Sequence, residues 1–337
     1  MNRQATCSAA LTTVAAIAFS PAAAAPAVKR ADSELPLREF ARIALPGPSN
    51  RFDYQSIDSE AGRLYISHMD GDRLLVFDVR RRNVVKAFNA PGVHGVIAVP
   101  QLGRVFASVT NVQQVVTIDT RKKRILGYAQ AGEYPDGLAY DPVERRVFVS
   151  DEAGGAEIVL DAQGRPVGRI NLGGDAGNVQ YDAVSGRILV DVQTSNVVAV
   201  IDPRTNKIVK RIPVPGCESD HGLLVDSPRR LAFIACDENA MLFTLDLANM
   251  RITGSATVGE APDVLAFDPS LRRLYVSAEG GVVAVFQETG QSVRKLGQAF
   301  LAPHAHTVAV DPATHLVYFA LERGTSSRPQ LLIMKPE

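Results

Sequence analysis

Read for hydrophobic and polar positions, the chain is a succession of short apolar runs set between turn residues. Seven of these runs fall into register: FDYQSID (52–58), VHGVIAV (93–99), PDGLAYD (135–141), AGNVQYD (176–182), DHGLLVD (220–226), PDVLAFD (262–268) and AHTVAVD (305–311). Their second residues are 41, 42, 41, 44, 42 and 43 positions apart. Each run is followed by a second, such as RLYIS (63–67) or RVFVS (146–150), and by a third, such as LLVFD (74–78) or VAVID (198–202). A more polar fourth follows, as in NVVKAF (83–88) and KIVKRI (207–212). β-Branched and aromatic residues bounded by Asp-Pro, Gly and Asn predict strands. Four short strands per repeat of about 42 residues describe a propeller blade.

A chain of 337 residues would by default suggest two domains, but seven blades use all of it after the N-terminal segment. The seventh repeat stops after its third strand, QLLIMK (330–335), and the missing outer strand is available as REFARIAL (38–45). Pairing the two would close the ring and leave no open sheet edge there. The predicted fold is therefore all-β: a seven-bladed β-propeller of four-stranded antiparallel blades over 38–337, closed by an N-terminal strand.

The repeats resemble the YVTN (YncE-like) family of seven-bladed propellers. The sixth is closest, with Gly259-Glu260-Ala261-Pro262-Asp263, Asp268-Pro269 and Leu274-Tyr275-Val276-Ser277. The third is similar, with Gly132, Pro135-Asp136-Gly137 and Asp141-Pro142, whereas the family's Thr-Asn pair is degraded in every copy. The resemblance spans 38–337 and implies the fold. The family hosts mainly binding proteins, and fold alone does not dictate function.

Charge removes one class of partner. Lys+Arg 36 against Asp+Glu 36 leaves no basic face for nucleic acid. The runs Arg80-Arg81-Arg82 and Arg121-Lys122-Lys123-Arg124 read as solvated turns. At the N-terminus, Arg3, the apolar stretch Leu11 to Phe19, Ser20-Pro21 and Ala22 to Ala25 follow the order of a signal peptide, too short to span a bilayer. The expected organisation is a signal peptide over 1–25, a linker over 26–37 and a monomeric domain exported to a periplasm or secreted, with no transmembrane segment. Removal of Cys7 would leave Cys217 and Cys236, which can approach closely enough for a disulfide. Free thiols, or thiolate ligands beside His221, are the alternatives.

The second residue of each first strand should sit at one mouth of the central channel. Those residues are Asp53, His94, Asp136, Gly177, His221, Asp263 and His306, so Asp and His alternate around the ring. The loops between second and third strands add Asp151-Glu152, Asp237-Glu238, Glu279 and Glu322 to the same face, with His68 above the first blade and His304 entering the seventh. The expected ligand-binding set is Asp53, His94, Asp136, His221, Asp263, His306, Glu152 and Glu322. Imidazole and carboxylate together suit a divalent metal, and His221, Asp263 and His306 offer such a set, with Glu279 or Glu322 as a further ligand or base. Zn²⁺, Mn²⁺ and Ca²⁺ are the ions considered. His94, His221 or His306 could instead serve as a general base. A ring of histidine–aspartate hydrogen bonds would need neither. Three functions stay open: binding of a small ligand, metal or periplasmic protein; a metal-dependent hydrolase, lactonase or lyase; and a scaffold or metallochaperone.

Other recurrent residues read as turn chemistry. Asp78, Asp119, Asp161, Asp202 and Asp246 end the third strands and should bond their own turns. His315 is expected to be solvated in such a turn.

Overall fold

A computed structural model describes residues 34–323 and 327–337. The signal-peptide reading of 1–25 and most of the 26–37 linker lie outside these residues. The described chain forms seven four-stranded antiparallel sheets, blades 1 to 7 in chain order. Blade 1 uses Gln55–Asp58, Arg63–His68, Arg73–Asp78 and Asn83–Asn89. The next five repeat that order, innermost strand first.

Blade 7 is made from both ends of the domain. Ala309–Asp311, Leu316–Leu321 and Gln330–Pro336 supply three strands, and Leu37–Ala44 supplies the outermost. Leu37 pairs with Pro336 and Ala44 with Gln330, with one irregularity between Glu39 and Ala41. Ala41 and Ile43 pack into a cluster with Leu331 and Ile333 of blade 7 and Leu64 and Phe77 of blade 1. The closing strand is thus part of a seam between neighbouring blades.

That seam illustrates the core as a whole, which is a set of wedges between blades. Tyr65 and Val76 of blade 1, for example, meet Val96, Val105 and Val116 of blade 2. Second and third strands are covered on both faces, which is why they read as continuous apolar runs. Outer strands alternate instead, as in Arg251–Thr257, where exposed and half-buried residues take turns. Their exposed positions carry charges such as Lys207, Lys210 and Arg211, which discourage pairing with other chains.

A local feature aims the channel-facing side chains. In blades 2 to 6 the first ladder is irregular where His94, Asp136, Gly177, His221 and Asp263 lie. Such bulges re-aim a side chain. Glycine follows two of the histidines because neighbouring backbone is close: a Cβ on Gly95 would stand 2.1 Å from the Asp136 carbonyl oxygen, and one on Gly222 2.4 Å from that of Asp263.

Cys217 and Cys236 form a disulfide with a Cα separation of 5.5 Å. It fastens the connection entering blade 5 to the end of Leu231–Cys236. Closing a loop of sequence separation 19 corresponds to about 3 kcal/mol in the chain-entropy account. The Cys217→Ser/Cys236→Ser double variant should lose about that much in urea unfolding. An unchanged midpoint would show that the bridge adds nothing to stability.

Candidate functional site

The mouth of the channel opens into a cavity of about 460 Å³. His94, Asp136, His221 and Asp263 line it from the first strands, and Asp53 from the connection just before Gln55–Asp58. Arg51, Tyr134 and Ala261 reach it from the connections entering blades, and Met69, Glu152, Gln193, Asp237 and Glu279 from loops between second and third strands. Below it, Tyr54 of blade 1 extends to blade 4, where its hydroxyl donates to Asn178 Oδ1 at 2.7 Å. This bar gives the cavity a floor.

The three ring histidines differ in what their nitrogens meet. His94 Nδ1 lies 2.9 Å from the Gly92 carbonyl oxygen, which can only accept, so Nδ1 carries the proton. Its Nε2 then accepts from the Tyr134 hydroxyl at 2.9 Å. His221 Nε2 stands 3.2 Å from Asp263 Oδ1. Burial opposes a charge on this ring, but the hydrogen bond and charge of Asp263, with Asp136 and Glu152 nearby, lift its pKa to about 10. Asp263 thus favours the protonated form of His221.

His306 is different. Its side chain is fully buried, and its Nδ1 donates to the His304 carbonyl at 3.0 Å, with Glu279 Oε2 3.3 Å away. That leaves the lone pair on Nε2, which has no hydrogen-bond partner among the described residues. Asp263 Oδ2 lies 3.9 Å from it. One donor atom each from Asp53, Asp263 and His306 falls within 4.8 Å of the others. An ion with bonds of about 2.1 Å holds its ligand atoms roughly 3–4 Å apart, so these side chains would draw in by up to about 1 Å around it. Of the four residues expected to bind metal, the structure gathers Asp263 and His306 and adds Asp53. His221 approaches Asp263 from its own side. Glu279 faces His306 Nδ1 and pairs with Arg51 at 2.5 Å, which places it as an outer carboxylate behind the ring.

The carboxylates crowd one another. Burial, then Asp136 and Asp263, drive the Asp53 pKa well above its ordinary value. Burial likewise raises Asp136, Glu152 and Asp237. Asp263 goes the other way: burial alone would raise it, but His221, His306 and Arg51 outweigh that and hold it ionised.

Some expected residues sit elsewhere. Glu322 borders a separate depression with Pro303, His304 and Arg323. Asp151 turns inward, accepting from the Glu133 and Tyr134 amides at 2.6 and 2.9 Å and pairing with Arg169 at 2.8 Å. His68 is buried against Phe52, ring centroids 4.1 Å apart, and bonds Asn50 at 2.7 Å, pinning the connection into blade 1. His315 is not simply solvated: its Nδ1 lies 2.6 Å from Asp268 Oδ2. The third-strand aspartates do bond their own turns, as Asp78 does with the Arg80 and Arg81 amides.

Another buried pair lies beside the ring. Asp191 and Asp220 are fully buried, and burial, then the charge of Asp220, pushes the Asp191 pKa well above its ordinary value. Both stand where other repeats differ: four blades carry Ser in the Asp191 slot (Ser67, Ser108, Ser150, Ser277), and apolar residues such as Val93 and Pro262 fill the Asp220 slot. Gly177 makes room, since a Cβ there would lie 2.9 Å from both Asp191 Cβ and the Asp220 carbonyl oxygen. Burial raises the Asp220 pKa from 3.8 to about 7. The folded chain thus holds this proton more tightly than the unfolded one. The stability it contributes is complete below pH 3.8 and lost as pH rises to about 7. Asp220→Asn should remove that decline and raise stability at pH 7.5 by about 1–3 kcal/mol. Urea unfolding at pH 4.5 and 7.5 checks this; equal pH dependence in parent and variant would refute it.

Arg51, Tyr54, Tyr134 and Gln193 had no signal in the repeat pattern. They come from connections and from the residue after the ring position, where the blades vary.

No protein-family model matches the chain, and no curated protein matches it. Its fold is similar to that of solved propellers. A chain of Kuenenia stuttgartiensis hydrazine synthase shares 13% identity at a TM-score of 0.73, over 88% of this chain and 98% of that one. A chain of the mitotic checkpoint complex shares 11% at 0.75, over 96% and 98%. The WD40 repeats of RRP9 share 9% at 0.74, over 89% and 100%. At these identities the likeness concerns fold alone.

Proposed function

We propose that this propeller, read from its repeats as an exported YVTN-like protein, is a metal-dependent binding protein whose channel mouth holds one divalent cation. Asp53, Asp263 and His306 are its ligands. The observation that carries this is His306 Nε2: a buried lone pair without a partner, oriented by a proton on Nδ1, facing two carboxylates. Metal-binding histidines are commonly held by such a bond from the other ring nitrogen. A plain hydrogen-bonded ring would instead have used that lone pair. One imidazole with two carboxylates suits Mn²⁺ or Zn²⁺ better than Ca²⁺, which takes oxygen ligands. The cavity above leaves room for a small molecule to complete the coordination.

A second reading, metal-assisted hydrolysis or lyase chemistry, is favoured by Asp136 and Glu152. Carboxyls with raised pKa beside a metal can serve as general acids.

Equilibrium dialysis against Mn²⁺ and Zn²⁺ with elemental analysis tests the main reading. About one ion per chain is expected, and no retained ion in either case would overturn it.

A further inference from the structure

We propose that the blade 3 side of the mouth is a binding site for an organic ammonium group, so that the ligand taken by this propeller is a small amine. This goes beyond the metal reading: it depends on the mouth being a ligand site, and uses a different wall.

Asp136 and Glu152 both come from blade 3, brought together by the pairing of Pro135 with Asp151. Asp136 is 3% exposed, lines the cavity, and its Oδ1 has no hydrogen-bond partner among the described residues. Glu152 accepts only weak help, from the Gln193 amide at 3.2 Å. The bases of the mouth are committed elsewhere. Arg51 pairs with Glu279 at 2.5 Å and His221 with Asp263 at 3.2 Å, while His94 Nε2 takes the Tyr134 proton at 2.9 Å. His221 and His94 offset the charge of this wall only in part, since burial still outweighs them at both carboxyls, and Asp136 Oδ1 is left without a hydrogen-bond donor that a bound cation could supply.

The donor set argues against a second metal ion. Asp53, Asp263 and His306 form the one cluster of three or more His, Cys, Asp or Glu donors with metal-holding spacing among the described residues. A cavity of about 460 Å³ also lies in the range of small-molecule sites. An alkylammonium has three donors. The acceptors this wall offers them are the Asp136 and Glu152 carboxylates and the Tyr134 oxygen, which gives its proton to His94 and keeps its lone pairs. The partly exposed Tyr134 ring and Met69 supply surface for a short alkyl chain, and a cation over an aromatic face gains further. Burial disfavours charge on both carboxyls in the free protein, and an ammonium ion would relieve it.

The test is calorimetric titration of the purified protein with 1,4-diaminobutane, using 1,4-butanediol as the uncharged counterpart. Saturable binding of the diamine and none of the diol is expected. Asp136→Asn and Glu152→Gln should each weaken it at least tenfold without lowering the thermal midpoint. Because Glu152 lies at the cavity wall, Glu152→Gln keeps the test valid if Asp136→Asn unfolds. Absence of diamine binding, or a double variant that binds as tightly as the parent, would overturn the proposal. The same titrations with Mn²⁺ separate the two readings. Lost Mn²⁺ binding in His306→Ala with diamine binding retained is expected if the sites are distinct; diamine binding that disappears with His306 would refute the separate ammonium wall.

Discussion

A chain shortened to begin at Asn50 should no longer unfold in one cooperative step. The lost segment contains Leu37–Ala44, the outer strand of blade 7, together with the buried side chains Leu37 and Leu45. Burying a leucine contributes about 1.5–3 kcal/mol, and each ladder hydrogen bond about 0.5–1.5 kcal/mol. Removing the strand should therefore cost on the order of 5–10 kcal/mol, comparable with the whole stability of an ordinary domain. The damage would not stay in blade 7, because Ala41 and Ile43 belong to the cluster that joins it to blade 1. Calorimetry of parent and truncated chains checks this, and a synthetic peptide of residues 36–46 added in trans should restore part of the transition. A truncated chain that melts like the parent would show that the ring does not depend on this closure.

Replacing His306 with Ala should lower Mn²⁺ and Zn²⁺ affinity at least about 100-fold, since even residues behind a ligand are worth 10–100-fold. Asp53→Asn should do the same, although Asp53 is far from His306 in sequence. His221→Gln should weaken metal binding much less, because His221 meets the site only through Asp263. If His221 were itself a ligand, its loss would match that of His306. The set Asp53, Asp263, His306 and the set His221, Asp263, His306 are thus distinguished by two variants.

The fold was legible because each repeat states it again. A second residue recurring every 41 to 44 positions locates the channel, and a seventh repeat short of one strand locates the closure. The Asp and His ring was legible for the same reason. Which members meet was not, because contact depends on side-chain reach across the ring. Asp53 and His306 come together only because blade 7 neighbours blade 1 once the circle is closed. Tyr54 reaches Asn178 across the channel, a contact no periodicity announces. Glu322 stands in a loop equivalent to those of Glu152 and Glu279, yet borders a different depression. The Asp191–Asp220 pair did leave a trace: each breaks its repeat slot, and Gly177 breaks the ring beside them.

The most direct measurement is an anomalous difference map from crystals grown with Mn²⁺. The account predicts one peak per chain at the channel mouth, bonded to His306 Nε2 and to the carboxylates of Asp53 and Asp263. A map without a peak there at saturating Mn²⁺, or with the ion held by His221 instead, would contradict it.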